Sequence, residues 1–329
     1  MNLPASVLGF TSTDKSVFVG KQPWAGVGTQ LEGNESVYEI AEKAGLNFSV
    51  QEKTVHFRHN GVYHPFMEKK VLLRDDTLNP LSVVSSGYNT VQPSDILGLY
   101  SDLVEIGGFS LETAGTLQGG KKIWALARVS DNAPVLENDP VSPYILLATS
   151  YDGTLATVGL FTSIRVSCCN TLSASLGKAS FSETSYLSDS IKINHSSKFD
   201  KDNMRMRLGI FANSFEKFLI NARNLANHQM NDKEMDDFLK TLLTPYHRSE
   251  KKEIEEMKAF KAIKALFNGS AIGYSEMLNN GHKNRYLALN CVTEFVDHSK
   301  GVTVDSRINS AFFGSGSKLK KEAAELLAA

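Results

Sequence analysis

The sequence predicts an α+β protein, with a mainly antiparallel sheet and packed helices followed by a helical C-terminal region. In the first half, β-like runs are separated by the tight-turn dipeptides Gly119-Gly120 and Asp152-Gly153. From Met204 onward, apolar residues recur at steps of four and three, which is the spacing of an amphipathic helix. Residues 177–200, rich in Ser, Lys and Asp, have the composition of a linker between the two patterns.

The length of 329 residues suggests about two domains. We divide the chain into an irregular N-terminal arm, an α+β sheet domain, a linker, a helical region and a C-terminal tail. These stretches cover residues 1–30, 31–180, 181–200, 201–300 and 301–329.

Two helices are predicted to alternate with the strands of the sheet domain. Asn34 is the expected N-cap of a helix over 35–43, and Ser94 of a helix over 95–106 that ends at Gly107. The predicted strands are a hairpin that begins around Phe48 and the segments 62–74, 81–85, 109–116, 121–129, 144–150 and 154–166.

The helical region begins with an apolar seam from Met204 to Leu225. A seam of this length fits a core helix of an α subdomain, and it also fits an oligomeric coiled coil. Further helices are predicted over 232–243, 249–267 and 284–297, with a short one in the tail.

The composition is 42% hydrophobic and 22% charged, as in ordinary soluble globular proteins, and the formal net charge is −1. A dedicated duplex-binding domain is usually basic, because neutralising phosphates supplies most of its affinity. A nucleic-acid site here must therefore be a local patch or be assembled by oligomerisation.

The sequence predicts a cytoplasmic protein with no membrane contact. No apolar run has the roughly 18 residues of a membrane helix, and the first ten residues lack the pattern of a signal peptide. The three cysteines, Cys168, Cys169 and Cys291, form neither a disulfide framework nor a metal knuckle, which favours a reducing compartment.

Enzyme motifs are missing from the sequence. It contains no phosphate loop, no HExxH, no GxSxG and no dinucleotide-binding fingerprint. An enzyme is disfavoured without being excluded, and no catalytic residue, cofactor or metal is predicted.

One strand carries a candidate surface for single-stranded nucleic acid. Lys121, Lys122 and Arg128 flank Trp124 on this strand, and by alternation Lys122, Trp124 and Arg128 share a face. The cations can bind phosphates, and the aromatic ring beside them can stack on a base. The alternative is a core Trp124 covered by the lysines.

A second candidate is the polar stripe of Asn290, Glu294 and His298, with Asp297 beside it. Glu294 and His298 have a spacing that can bind a metal, for which His195 or Asp152 would have to supply the third ligand. The alternative is structural, with His298 bonding the end of its helix.

A third candidate is the block from Arg165 to Leu172, in which Asn170 can cap a helix. Arg165 at a strand end can face a phosphate or form a structural salt bridge. Polar side chains buried in apolar surroundings usually form hydrogen bonds with each other. We therefore expect Arg165 and Asn170 near Asn290, with Arg165 paired to Glu294 or Asp297.

Five ordered blocks of the chain resemble the phage- and plasmid-borne family called domain of unknown function nine-three-two. They are residues 119–126, 150–153, 165–172, 194–196 and 290–298. The chain departs from the family at Cys291, where Ala is expected, and at Ser196, where Thr is expected. The resemblance implies an accessory protein of a mobile element without implying an activity.

The order of a helix and an antiparallel meander also resembles the core of single-strand annealing recombinases, although their basic helix is missing after Leu172. Our first hypothesis is therefore a homo-oligomeric protein that binds single-stranded DNA and assists annealing in recombination. The second is a protein-interaction or counter-defence factor that binds a host protein. The third is a metal-dependent enzyme built on Glu294, Asp297, His298 and His195.

Overall fold

The structure is a computed structural model, and it forms two compact units built from discontinuous segments. The first unit comprises residues 1–129, 145–160 and 190–209, and the second comprises 130–144, 161–189 and 210–329. The residues that the structure describes are 15–19, 28–107, 109–165, 171–173, 190–196, 200, 212–248 and 253–329.

Strands dominate the first half of the chain. They are β1 (Ser16–Val19), β2 (Thr29–Leu31), β3 (Val50–His59), β4 (Val62–Arg74), β5 (Pro80–Ser85), β6 (Ser110–Leu117), β7 (Lys122–Arg128), β8 (Ala133–Leu136), β9 (Asp139–Ser150), β10 (Thr157–Arg165), β11 (Thr171–Ser173) and β12 (Ser190–Ile193).

Helices dominate the second half. They are α1 (Val37–Lys43), α2 (Pro93–Gly107), α3 (Ala212–Asn227), α4 (Asp232–Leu243), α5 (Lys258–Ala265), α6 (Arg285–Glu294), α7 (Val304–Phe313) and α8 (Ser315–Ala328). Single π-helical turns, Leu266–Ser270 and Phe295–Ser299, follow α5 and α6.

The larger sheet has the strand order β11-β10-β9-β7-β6-β1-β2, with β12 paired to β10 and β8 to β9. A separate sheet has the order β3-β4-β5. Apart from the parallel pair β1–β2, the registered pairs are antiparallel. The predicted α+β class with an antiparallel sheet and a helical C-terminal region is confirmed. β1 lies in the arm that was predicted to be irregular, residues 1–30, and β2 begins there.

Helix α2 packs on the sheet of the first unit through its apolar face, which includes the buried residues Ile96, Leu99 and Leu103. From the same face, the Tyr100 hydroxyl donates to the carbonyl of Ala125. Helix α1 begins later than predicted, because Ser36 and not Asn34 caps it with a reciprocal bond to Glu39.

The second unit is built around α6, whose residues Tyr286–Glu294 are all buried. The described part of the apolar seam, on α3, buries Phe218, Ala222 and Leu225 within the chain. This burial fits the core helix and not the coiled coil. Residues 204–211 lie outside the described residues.

Candidate nucleic-acid interface

The structure buries the aromatic residue that was predicted to stack on a base. Trp124 is 1% exposed and Lys122 is 6% exposed. Gly115 lies opposite Trp124 in the β6–β7 register, and a Cβ at that position would lie 3.1 Å from the indole ring. Trp124 therefore offers no ring face to a base, which corrects its assignment as a stacking residue. The alternative, a core tryptophan, describes its position.

The other cations of this strand are partly engaged. The Nε atom of Arg128 lies 2.8 Å from Oε1 of Glu112. Lys121 is half-buried in the turn before β7, and its carbonyl accepts the Tyr151 N–H at 2.8 Å. The ion pair with Glu112 reduces the charge that Arg128 can offer to phosphates.

Arg165 lies at the centre of a buried polar network in the second unit. Its Nε atom donates to Oδ1 of Asp139 at 2.5 Å, and both side chains are fully buried. Oδ2 of Asp139 accepts the Tyr286 hydroxyl at 2.8 Å. Burial and the charge of Asp139 raise the pKa of Tyr286 well above its usual value, so its hydroxyl stays protonated and donates.

A short loop connects this network to Glu294. The Arg165 guanidinium donates to the carbonyls of Ile272 at 2.8 Å and Gly273 at 3.0 Å. The Ile272 N–H in turn donates to Oε2 of Glu294 at 3.1 Å. The two polar blocks therefore meet across this loop, as expected, but the ion-pair partner of Arg165 is Asp139. The prediction of Glu294 or Asp297 as that partner was wrong.

The other polar residues of the late block also have structural partners. Asp297 accepts from Nζ of Lys320 at 2.9 Å, with both side chains buried. The Asn290 amide donates to the Tyr286 carbonyl at 2.9 Å. His298 is half-buried in the π-helical turn. Asn170 lies outside the described residues.

His195 belongs to the first unit, where it ties the segment after β12 to neighbouring loops. Its Nδ1 and Nε2 atoms lie 3.1 Å and 3.0 Å from the carbonyl oxygens of Asn89 and Leu155. Its ring stacks on Tyr88 with centroids 4.2 Å apart.

The metal hypothesis finds no support in these positions. Across the described ranges, no group of three or more His, Cys, Asp or Glu side chains is arranged to hold a metal ion. Burial raises the pKa of Cys291 far above its usual value, so this thiol is a structural one. Cys168 and Cys169 lie outside the described residues.

A two-stranded ribbon formed by β3 and β4 exposes aromatic and basic side chains to solvent. Its outer part runs from Lys53 to Lys69, and every residue there is exposed except Val55, which is half-buried. The strands are joined by Asn60 and Gly61, with φ of 49° and 83°. These left-handed values are those of the tight turn that matches strand twist.

One side of the ribbon, which we call the ring face, consists of Val55, Phe57, His59, Val62, His64 and Phe66. In the register Val55 lies opposite Phe66 and Phe57 opposite His64, and side chains at opposed positions share a face. The rings of Phe57 and His64 stack with centroids 5.4 Å apart. By alternation along β3, Lys53 points to the same side.

The other side, which we call the guanidinium face, consists of His56, Arg58, Tyr63 and Pro65. Arg58 lies opposite Tyr63 in the register, and its guanidinium carbon is 5.9 Å from the centre of that ring. Tyr63 is 69% exposed, so the ring is open to solvent.

The ribbon is basic in a chain of near-neutral charge. Between Lys53 and Lys69 the cations are Lys53, Arg58 and Lys69 and the only acid is Glu68, which gives a net charge of +2 without histidines. The sequence pattern did not single out this surface, because both faces mix apolar and basic residues and no simple alternation results. The Asn60-Gly61 dipeptide, a strong hairpin signal, could have located its tip.

The comparisons establish a family of proteins without a known activity. The model of the family described as Domain of unknown function (DUF932) matches residues 80–320, and the chain belongs to this family. No curated protein and no solved structure matches the chain. The ribbon precedes the matched residues, so family membership does not describe it.

No helix among the described residues is long and apolar enough to span a membrane.

Proposed function

We propose that this protein binds single-stranded nucleic acid along the ring face of the β3–β4 ribbon. The observation that carries the proposal is an exposed pair of stacked rings, Phe57 and His64, on a ribbon with a net charge of +2 that includes Lys53. Rings that stack bases next to cations that track phosphates are the two components of sequence-tolerant single-strand binding.

Exposure supports the choice of this surface over β7. Phe57 is 54% exposed and Phe66 is 40% exposed, whereas Trp124 is 1% exposed. Burying a large aromatic side chain is favourable, so rings left open on a ribbon favour a function in contact with another molecule. The positive charge favours a polyanion as that molecule.

Annealing of complementary strands during recombination is the process in which we place this binding. The order of α2 and the antiparallel strands β6 and β7, which resembles annealing recombinases, supports this choice. Such a protein would act in the cytoplasm of a bacterial host as a homo-oligomer.

A second candidate is binding to a host protein, as a counter-defence factor would do. The exposed apolar side chains Val62, Met67 and Val83, at 59%, 72% and 56% exposure, favour it. Large exposed apolar side chains are more common where a protein contacts a partner, and Met adapts to varied partners.

The test is fluorescence anisotropy of a labelled oligothymidylate titrated with wild type, Phe57→Ala and Tyr38→Ala. We expect Phe57→Ala to cost about 1–3 kcal/mol of binding free energy, the effect of one stacked base. Tyr38, on α1, is 78% exposed and is the matched control that should change nothing. An absence of wild-type binding at low salt would overturn the proposal and favour the host-protein candidate.

A further inference from the structure

We infer that the ribbon binds two strands of nucleic acid at once, one on each face, at the point where a duplex opens into single strands. This inference rests on the proposed single-strand binding and names the substrate as a forked duplex. It is carried by the chemistry of the guanidinium face, which the proposed function leaves unused.

The two faces carry similar chemistry in different residues. The ring face pairs the Phe57–His64 stack with Lys53, and the guanidinium face pairs Tyr63 with Arg58. A ring and a cation on each side can each hold a base and its phosphate. A surface for one strand would need only one of the two sides.

Both faces are open along the same length of ribbon. Phe57 on one side is 54% exposed and Tyr63 on the other is 69% exposed. These residues are in adjacent cross-strand pairs, because Phe57 lies opposite His64 and Arg58 opposite Tyr63. Two strands bound there would therefore lie at the same level of the ribbon, on opposite sides.

The thickness of the ribbon keeps such strands apart. Successive side chains of a strand point to opposite faces, so groups bound to the two faces are separated by the backbone and a layer of side chains on each side. Base pairing needs donor–acceptor distances of about 3 Å. Bases held on the two faces therefore cannot pair, and the ribbon would occupy the space between two separated strands.

The tip is narrow enough to enter the fork. It consists of the two-residue turn Asn60-Gly61, and a Cβ added to Gly61 would have no neighbour within 4 Å. No residue of the described chain therefore covers the turn at Gly61. The tip can lead into the opening of a duplex.

The base of the ribbon is fixed to the body of the first unit. Nζ of Lys70 donates to the Tyr88 carbonyl at 2.7 Å and pairs with Glu52 at 2.9 Å. The Thr90 hydroxyl donates to the same Glu52 carboxylate at 2.7 Å. These contacts hold the ribbon in position, as a wedge between strands requires.

The experiment compares three labelled DNA ligands in anisotropy titrations: a fork with two unpaired arms, the same duplex with one arm, and one arm alone. The proteins are wild type, Phe57→Ala, Tyr63→Ala and the control Tyr38→Ala. Circular dichroism melting checks that each variant is folded.

We expect wild type to bind the fork about tenfold more tightly than the one-arm duplex, the effect of about one added stacked base. Tyr63→Ala should remove this preference and leave binding to the single arm within about twofold, whereas Phe57→Ala should weaken both by about tenfold. Tyr38→Ala should behave as wild type.

Equal wild-type affinity for the fork and the one-arm duplex would overturn the inference and leave the proposed function standing. Equal losses for Tyr63→Ala on the fork and the single arm would also overturn it, because one strand would then wrap both faces. An absence of binding to all three ligands would overturn the proposed function as well.

Discussion

Arg165 and Asp139 form an ion pair in which neither side chain is exposed to solvent, with Nε and Oδ1 2.5 Å apart. Removing one member of a buried pair leaves the other charged without compensation and typically costs about 3–5 kcal/mol. We expect Arg165→Met and Asp139→Asn each to lower the free energy of unfolding by about this amount, measured by urea denaturation. The double variant Arg165→Met/Asp139→Asn should lose clearly less than the sum of the two losses. An Arg165→Met variant as stable as wild type would contradict a structural role for the pair.

Gly273 should be more sensitive to substitution than Gly281, although both have positive φ. A Cβ on Gly273, at φ 63°, would lie 2.8 Å from a guanidinium nitrogen of Arg165, whereas one on Gly281, at φ 78°, has no neighbour within 4 Å. Gly281→Ala should cost about 1 kcal/mol through backbone strain alone. Gly273→Ala should cost more, because the alanine also displaces Arg165. Equal melting temperatures for the two variants would show that the contact with Arg165 is unimportant.

Substitution of Trp124 should lower stability without changing binding, and substitution of Phe57 should weaken binding without changing stability. Trp124→Ala should lower the free energy of unfolding by about 3–5 kcal/mol and lower the melting temperature, because it leaves a large cavity. At temperatures where that variant is folded, its oligonucleotide affinity should match wild type. Phe57→Ala should show the opposite pattern in the same two assays. A Trp124 variant that melts normally but binds weakly would return the binding site to β7.

Lys53 should contribute to the salt dependence of binding. Each phosphate contact on a single strand adds about 0.7 to the slope of log affinity against log salt concentration. Lys53→Ala should therefore reduce the magnitude of the slope by about 0.7. Lys261, exposed on α5, is the matched control, and its replacement by Ala should leave the slope unchanged. The result that would count against a phosphate contact is an identical slope for the two variants.

Glu35 should titrate well below an ordinary carboxyl group. The hydrogen bond from Lys43, followed by backbone amides that include Gly33, lowers the pKa of Glu35 from 4.5 to about 2. Because the folded pKa is the lower one, the stability contributed by Glu35 is fully present above about pH 4.5. It is lost as the pH falls from there towards 2. The carboxyl chemical shift of Glu35, followed by NMR against pH, measures this directly. In Lys43→Met the midpoint should move up towards 4.5.

The secondary structure was largely predictable from local signals. Strand β4 begins at Val62 and ends at Arg74, as the sequence predicted, because turn residues mark both ends. Helix α2 followed from its apolar face, but its predicted cap was wrong, because the helix begins at Pro93 and Ser94 lies inside it. The cap of α1 was misplaced, because Asn34 and Ser36 are both suitable caps and only Glu39, three residues after Ser36, completes the reciprocal bond.

The partners of the polar residues were less predictable. The meeting of Arg165 with the block around Glu294 follows from the general rule that buried polar groups are satisfied. The choice of Asp139 over Glu294 does not, because it depends on which carboxylate the tertiary fold brings to the guanidinium. Trp124 illustrates the same limit, since alternation defines its face but not what covers that face. The ribbon escaped notice because sequence patterns predict burial better than exposure.

The buried network also has a consequence for biosynthesis. Asp139 and Tyr286 are 147 positions apart, and Arg165 precedes Tyr286 by 121 positions (286 − 165). At about 5–20 residues per second, a ribosome needs roughly 6–24 s to make the intervening chain. During that interval the Arg165 side chain of the nascent second unit must be solvated or paired elsewhere, because the later parts of the network have not yet been made. Slowing or arresting translation between these positions would therefore lengthen the period in which the unit is open to chaperones and proteases.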